Sequence, residues 1–245
     1  MRITRRGFAL GSGILIGAAG ISWGFGYVAP SATLRYRMTV DIDVDGASRT
    51  ESSVSEISFQ SNRWLPLPGN AVSAYQVSDA MFIDLGGRGV LVLLTESLSY
   101  NRSGNLDQSD GLVYGRLSRA EVISRAFGLI GLSDAAIRSI YSLSKAVELT
   151  PDLYPPMITL DDIQNPVSAR FVYPDDLSGE FGKGVKLKRI MLSTTVEPIT
   201  RGIEKKLPWL KGWNALPFEV SRARALARVQ APDLQRDHFV QGRTL

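Results

Sequence analysis

Ser142-Leu-Ser-Lys145 carries the S-x-x-K spacing of the serine acyl-enzymes. In that chemistry a lysine one helical turn from the serine takes the hydroxyl proton with its neutral amine. The companion S-D-N and K-T-G signals are missing, and Ser133-Asp-Ala precedes the serine rather than following it. A lysine near a helix C-terminus also has a plain role against the helix macrodipole. Ser142 and Lys145 are thus the candidate catalytic pair, with a helix end as the competing account.

Asp41-Ile-Asp43-Val-Asp45-Gly46 opens like a calcium loop. Such a loop needs a bidentate Glu at its twelfth position, where this chain has Ser52, with Glu51 one residue short. The solvated face of a strand accounts for the three acids. A Ser–His–Asp hydrolase would need the single histidine, His238, and no G-x-S-x-G is present. Asp237-His238 reads as a solvated tail. The pairs Asp161-Asp162 and Asp175-Asp176 stand where acids cap element starts. Gly179 to Gly184 is too short for a phosphate loop and lacks its Ser/Thr. The chain has no cysteine, which excludes disulfides, Cys-ligated zinc, iron–sulfur clusters and a lipoprotein anchor. No metal site and no cofactor is expected.

Arg201 to Trp213 is the most distinctive stretch. Lys205, Lys206, Trp209, Lys211 and Trp213 place tryptophan among lysines on an irregular segment, which suits a bilayer interface or a protein partner. The competing account has the two tryptophans closing the core beneath a basic surface. Charge is uneven. Residues 30–182 hold 12 basic and 19 acidic residues, and residues 183–245 hold 13 and 5. Either the two parts attract each other within one fold, or a basic surface faces an anionic partner such as lipid headgroups. Residues 30–245 together hold 25 bases and 24 acids, which is not a nucleic-acid binder's balance.

All of this must be positioned outside the cytoplasm. Arg2, Arg5 and Arg6 precede a run from Gly7 to Val28 without one charge, the shape of an export signal. Thr4-Arg5-Arg6-Gly7-Phe8 resembles a twin-arginine translocation signal, with Arg5, Arg6 and Phe8 at its core positions, although the customary basic residue after the motif is absent. The resemblance implies export in the folded state. The rival is an uncleaved anchor, since roughly 20 helical residues cross a bilayer and Pro30 weakens cleavage at Ala29 or Ala32. Both put residues 33–245 on the far side of a bacterial inner membrane, in the periplasm. Residues 1–32 are therefore the signal or anchor and residues 33–245 one extracytoplasmic globular domain.

Within that domain, Leu34–Val44 alternates apolar and polar residues, a half-buried strand. A three-residue loop, Asp45-Gly46-Ala47, returns it as a second strand with Asp43 opposite Arg49, forming an edge ribbon. Shorter strands are expected over Val72–Val77, Ala80–Leu85 and, buried, Val90–Thr95, with Gly86–Gly89 as a hairpin turn. Ser118-Arg-Ala-Glu121 is a capping box for one helix and Ser133 caps a second. Strands resume over Met157–Leu160, Ala169–Val172 and Val185–Thr195. Pro174 starts a short helix, and Phe218–Val229 is a last amphipathic helix. The expected class is α+β, with a mainly antiparallel sheet, a central helical pair and a C-terminal helix, preceded by an N-terminal signal or transmembrane helix.

Leu34-Arg-Tyr-Arg, Leu153-Tyr-Pro-Pro-Met-Ile-Thr, Tyr173-Pro-Asp-Asp-Leu with Phe181-Gly182, and Gly202-Ile-Glu-Lys-Lys-Leu-Pro-Trp209 resemble a group of bacterial exported or membrane-anchored proteins with no assigned activity. The resemblance runs over most of residues 33–245 and implies no catalytic residue. Two functions are consistent with these residues. One is a non-enzymatic periplasmic domain at the inner membrane, anchored through residues 7–28 and binding a protein, an envelope component or an anionic lipid surface, with no nucleic acid. The other is an exported hydrolase acting on cell-envelope material.

Overall fold

The computed structural model describes residues 29–61, 72–96, 114–129, 133–211 and 235–242. The leader with Arg5, Arg6 and Phe8, the expected helix Phe218–Val229, and Trp213 lie outside the described residues. Along the chain run β1 (Ser31–Val44), β2 (Ala47–Ser61), β3 (Val72–Asp79), β4 (Met81–Asp84), β5 (Val90–Leu93), α1 (Arg119–Phe127), α2 (Asp134–Ser139), β6 (Ala146–Glu148), β7 (Met157–Leu160), β8 (Ala169–Phe171), α3 (Leu177–Phe181), β9 (Val185–Thr194), α4 (Ile203–Lys206) and β10 (Val240–Gln241).

The alternation of β1 does what period two demands. Ala32, Leu34, Tyr36, Met38, Val40, Ile42 and Val44 all turn inward and are buried. The ribbon is not at an edge, however. The large sheet has the order β10-β3-β2-β1-β9-β6, so β1 and β2 are central. Alternation reports one buried face and carries no information about neighbours in the hydrogen-bonding direction. The hairpin is also tighter than expected. Val44 pairs with Ala47 across the two-residue turn Asp45-Gly46, whose φ angles of 54° and 84° are both positive. That is the primed turn whose twist matches two right-twisted strands. Dropping one residue from the loop puts Ser48 opposite Asp43 and Ile42 opposite Arg49. Arg49 instead donates to Asp84 O at 2.8 Å. Asp43 accepts from Gly46 N at 2.7 Å and pairs with Lys188 at 3.3 Å. Lys188 sits at the point where the β1–β9 register slips, between Arg189 opposite Asp41 and Leu187 opposite Ile42.

The small sheet has the order β4-β5-β7-β8, and every strand pairing described is antiparallel. All four residues of β5 are buried, because both faces of this sheet are covered. Leu91 and Leu93 join the inward face of the large sheet in one core. Val90, Val92 and Leu94 join Ile203, Leu207, Leu210 and Phe239 in a second. A strand covered on both sides is uniformly apolar, which explains the apolar run within the strand expected over Val90–Thr95, although the strand itself ends at Leu93.

The helical pair closes the first core with Val122, Ile123, Phe127 and Ile137. Ser118 and Glu121 form the reciprocal capping box that the S-x-x-E spacing promised. Gly128, at φ 72°, ends α1 in the left-handed conformation. Pro174 does not start a helix. Asp176 N bonds back to Tyr173 O in a turn, and α3 starts three residues after Pro174 with Asp176 as its N-cap. The acid, which can accept from Gly179 N, outcompetes the proline for the cap. The α+β class with antiparallel sheets thus describes the fold. No helix of the described residues is long and apolar enough to cross a membrane.

Candidate functional site

The two sheets are stitched at one corner, and the stitching leaves a cleft. β3 of the large sheet runs into β4 of the small one through Ala80, whose N–H bonds to Phe239 O at 2.7 Å. β10 pairs with the end of β3, Val240 opposite Asp79. Thr95, just past β5, donates its N–H to His238 O at 2.8 Å, and its hydroxyl faces Asp237 O and His238 O at 3.0 and 2.9 Å. His238 is therefore no solvated tail. It is buried, and its Nδ1 accepts from Gln235 N at 2.8 Å.

Beside this seam lies a cleft of about 270 Å³ between β3, the end of β5, the start of α1 and β10. Ile57, Ala74 and Ala120 give it apolar walls, while Tyr75, Glu96, Arg119 and Gln241 are among its polar groups. Arg119 is the first residue of α1. Its Nη2 donates to Leu94 O at 2.7 Å, and its Nη1 lies 4.0 Å from Met38 Sδ, a weak acceptor. Among the described residues no carboxylate pairs with it. Glu96 is already engaged by the Gln241 amide. Ser118 Oγ is held in the capping box.

Behind Arg119 is a smaller void of about 10 Å³, lined by Ser53, Ser55, Ser78 and Asp79, with room for about one water-sized group. Tyr36 stands opposite Ser55 across the β1–β2 pair. It is 1 % exposed, and among the described residues no partner reaches its hydroxyl in bonding geometry. Burial pushes the Tyr36 phenol up, against the opposing charge of Arg119 and the Ser55 hydroxyl. Asp79 is committed to the fold. Its carboxylate accepts from Gly202 N at 2.7 Å and Ile203 N at 3.2 Å, at the start of α4, and faces Arg201 Nη1 at 3.4 Å.

The residues singled out from the sequence fall elsewhere. Ser142 ends a single 3-10 turn and donates its hydroxyl to Ser139 O at 2.8 Å. Leu143 is extended, so Lys145 is not one helical turn from Ser142. Its Nζ stands 5.9 Å from the centre of the Phe127 ring. The S-x-x-K geometry, which needs an unbroken helix, is not assembled there. Asp41, Asp43 and Asp45 are each taken by a different cation, Arg189 at 2.7 Å, Lys188 at 3.3 Å and Arg88 at 3.0 Å. Asp161 is bound by Arg170 at 2.6 Å, and Asp162 caps a turn through Gln164 N. Among the described residues no group of three or more His, Asp and Glu could hold a metal.

In the basic segment the apolar residues turn inward. Ile203, Leu207 and Leu210 are buried, and the half-buried Trp209 packs edge-on against Phe239 at 5.3 Å while its Nε1 donates to Ile163 O at 2.8 Å. Lys206 stands 5.7 Å from the centre of the Phe82 ring, and Lys205 and Lys211 are exposed. Of the two readings of the charge asymmetry, mutual attraction has direct contacts in its favour. Lys188, Arg189 and Arg201 of the basic part each meet an acid of the acidic part.

Arg119 escaped the sequence reading, yet a signal was present. The first turn of a helix favours acids, because the macrodipole there is positive. An arginine placed directly after the N-cap has its reason outside the helix. Ser53 and Ser55 carried a second signal, as polar residues at strand positions that alternate with the outward face. Comparisons with protein-family models, with characterised proteins and with solved structures find no match to this chain.

Proposed function

We propose that this chain is a non-enzymatic binding protein held at the periplasmic face of a bacterial inner membrane, with the seam cleft as its binding site. The address rests on the charge-free run Gly7–Val28 behind Arg2, Arg5 and Arg6. The run serves as a twin-arginine-like signal or as an anchor, and the partner is an envelope component or a protein.

One observation carries the preference for binding over hydrolysis. The hydroxyls of Thr95 and Ser118 and the carboxylate of Glu96 at the cleft are engaged by the fold, whereas the Arg119 guanidinium is left with donors to spare. A nucleophile needs a base within reach, while a binding site needs convergent, unfilled polar groups on apolar walls. Alkaline phosphatase fused after Leu245 should be active, and the full chain in detergent should turn over no ester, amide or phosphoester. Activity of a cytoplasmic reporter at the same junction would refute the address. Turnover abolished by Ser142→Ala or Ser118→Ala would establish the hydrolase instead.

A weaker contact with anionic lipid is a second reading, favoured by the exposure of Lys205 and Lys211 beside Lys206. Each contributes about 1 kcal/mol near an anionic surface. Sedimentation with anionic vesicles, lost at high salt and in the triple Lys→Gln variant, is the expected result. Equal partition into neutral vesicles would remove this reading.

A further inference from the structure

A partly buried cation needs either a counter-ion or a full set of acceptors. Among the described residues Arg119 has one carbonyl and one thioether sulfur for its five donors. The same corner holds other positive partial charge. Arg119 and Ala120 both line the cleft and are the first two residues of α1, whose N–H groups an α-helix leaves without intrahelical partners. The carboxylates nearby, Glu96 and Glu121, are engaged by Gln241 and by the Ser118 cap, so the Arg119 guanidinium is the group left for an anion. Its charge is bounded as well. Among the described residues the walls carry one cation, Arg119, and one acid, Glu96, so a single negative charge has one guanidinium to meet and the second charge of a phosphate monoester has none. A planar monoanion matches a single guanidinium through two parallel hydrogen bonds. Depth is limited by the void behind Arg119, which has room for about one water-sized group. The anionic head therefore stops at the guanidinium, and the rest of the ligand lies in the 270 Å³ cleft against Ile57, Ala74 and Ala120.

We propose that the seam cleft binds a small monocarboxylate, its carboxylate on the Arg119 guanidinium and its aliphatic part on the Ile57–Ala74–Ala120 wall. The proposal rests on the cleft being a binding site. The full chain, purified in neutral detergent, is titrated calorimetrically with acetate, butanoate, hexanoate, hexanamide and inorganic phosphate. Hexanoate binds one to one and more tightly than acetate, while hexanamide and phosphate bind at least about tenfold more weakly. Arg119→Gln weakens hexanoate by about tenfold or more. Ala74→Phe, a substitution at an exposed strand position that narrows the cleft and keeps the Arg119 side chain, weakens it as much and leaves the melting temperature in place.

Equal affinity for hexanoate and hexanamide, or hexanoate binding that survives both substitutions, overturns the proposal. So does the absence of carboxylate binding to a cooperatively melting wild type. Should Arg119→Gln fail to fold, Ala74→Phe and the amide comparison decide the question. Amide binding that Ala74→Phe abolishes would keep the cleft as a binding site and discard the carboxylate, separating the two failures.

Discussion

Removing the Asp79 carboxylate should undo the clasp between the two sheets and α4. The side chain is 2 % exposed and accepts two backbone N–H groups, from Gly202 and Ile203, at 2.7 and 3.2 Å. A hydrogen bond to a charged group contributes about 1.5–3 kcal/mol, and a buried donor left unpaired costs about 1–3 kcal/mol. Asp79→Ala is therefore expected to cost about 3–5 kcal/mol. At roughly 2–4 °C per kcal/mol for a chain of this size, the melting temperature falls by about 6–20 °C. Both N–H groups meet the same oxygen, Oδ2, so Asp79→Asn can hold them on its carbonyl oxygen, loses only the charge and the Arg201 contact, and costs less than Asp79→Ala. Arg201 is different. Its side chain is 36 % exposed and its contact is long, 3.4 Å, so Arg201→Gln costs less than about 1 kcal/mol. Thermal and urea unfolding of the three variants, followed by circular dichroism, decide the matter. A loss below about 1 kcal/mol for Asp79→Ala, or an equal loss for Arg201→Gln, refutes the clasp, because the ion pair or neither would then be what matters.

Acid should weaken the fold through Asp41 and Asp161. The Thr50 hydroxyl and then the Arg189 guanidinium hold the Asp41 carboxyl below the usual carboxylate range, and Arg170 does the same for Asp161. A folded-state pKa below the unfolded one gives stability that is complete above the unfolded value and lost as pH falls through the folded one. Melting temperatures between about pH 6 and about pH 3 should therefore fall, and Thr50→Val should flatten that slope; an unchanged slope removes Asp41 from the account. Trp209→Ala should cost about 2–4 kcal/mol through lost contact with Phe239 and the Ile163 carbonyl. The exposed Lys205→Gln and Lys211→Gln should stay within about 0.5 kcal/mol in the same unfolding assay. A neutral Trp209→Ala would mean the indole serves an outside partner rather than the second core.

The strands, the capped helices and the class of the fold were legible because each rests on local physics. Alternation from Leu34 to Val44 is set by the pleat, the Ser118–Glu121 cap by the spacing of one helical turn, and the strand expected over Val90–Thr95, observed over Val90–Leu93, by its short unbroken apolar run. Local physics also misled where two local rules competed. Proline and acid both favour a helix start at residues 174–176, and the acid won. Ser142 and Lys145 have the right spacing for a helix, but the helix stops between them.

The candidate site was not legible, because no short segment contains it. Ile57 and Ala74 come from neighbouring strands of the large sheet, Glu96 from the end of a strand in the small one, Arg119 from a helix start and Gln241 from near the C-terminus. Their meeting depends on β3 passing from one sheet to the other and on β10 closing the corner. Long-range pairings of this kind are selected by total buried area and by satisfied backbone groups, quantities that exist only once both sheets are packed. Composition and periodicity settle which residues face inward. Whether an inward-facing arginine finds a carboxylate, or leaves its donors open to a ligand, is settled by what the rest of the chain brings to its side.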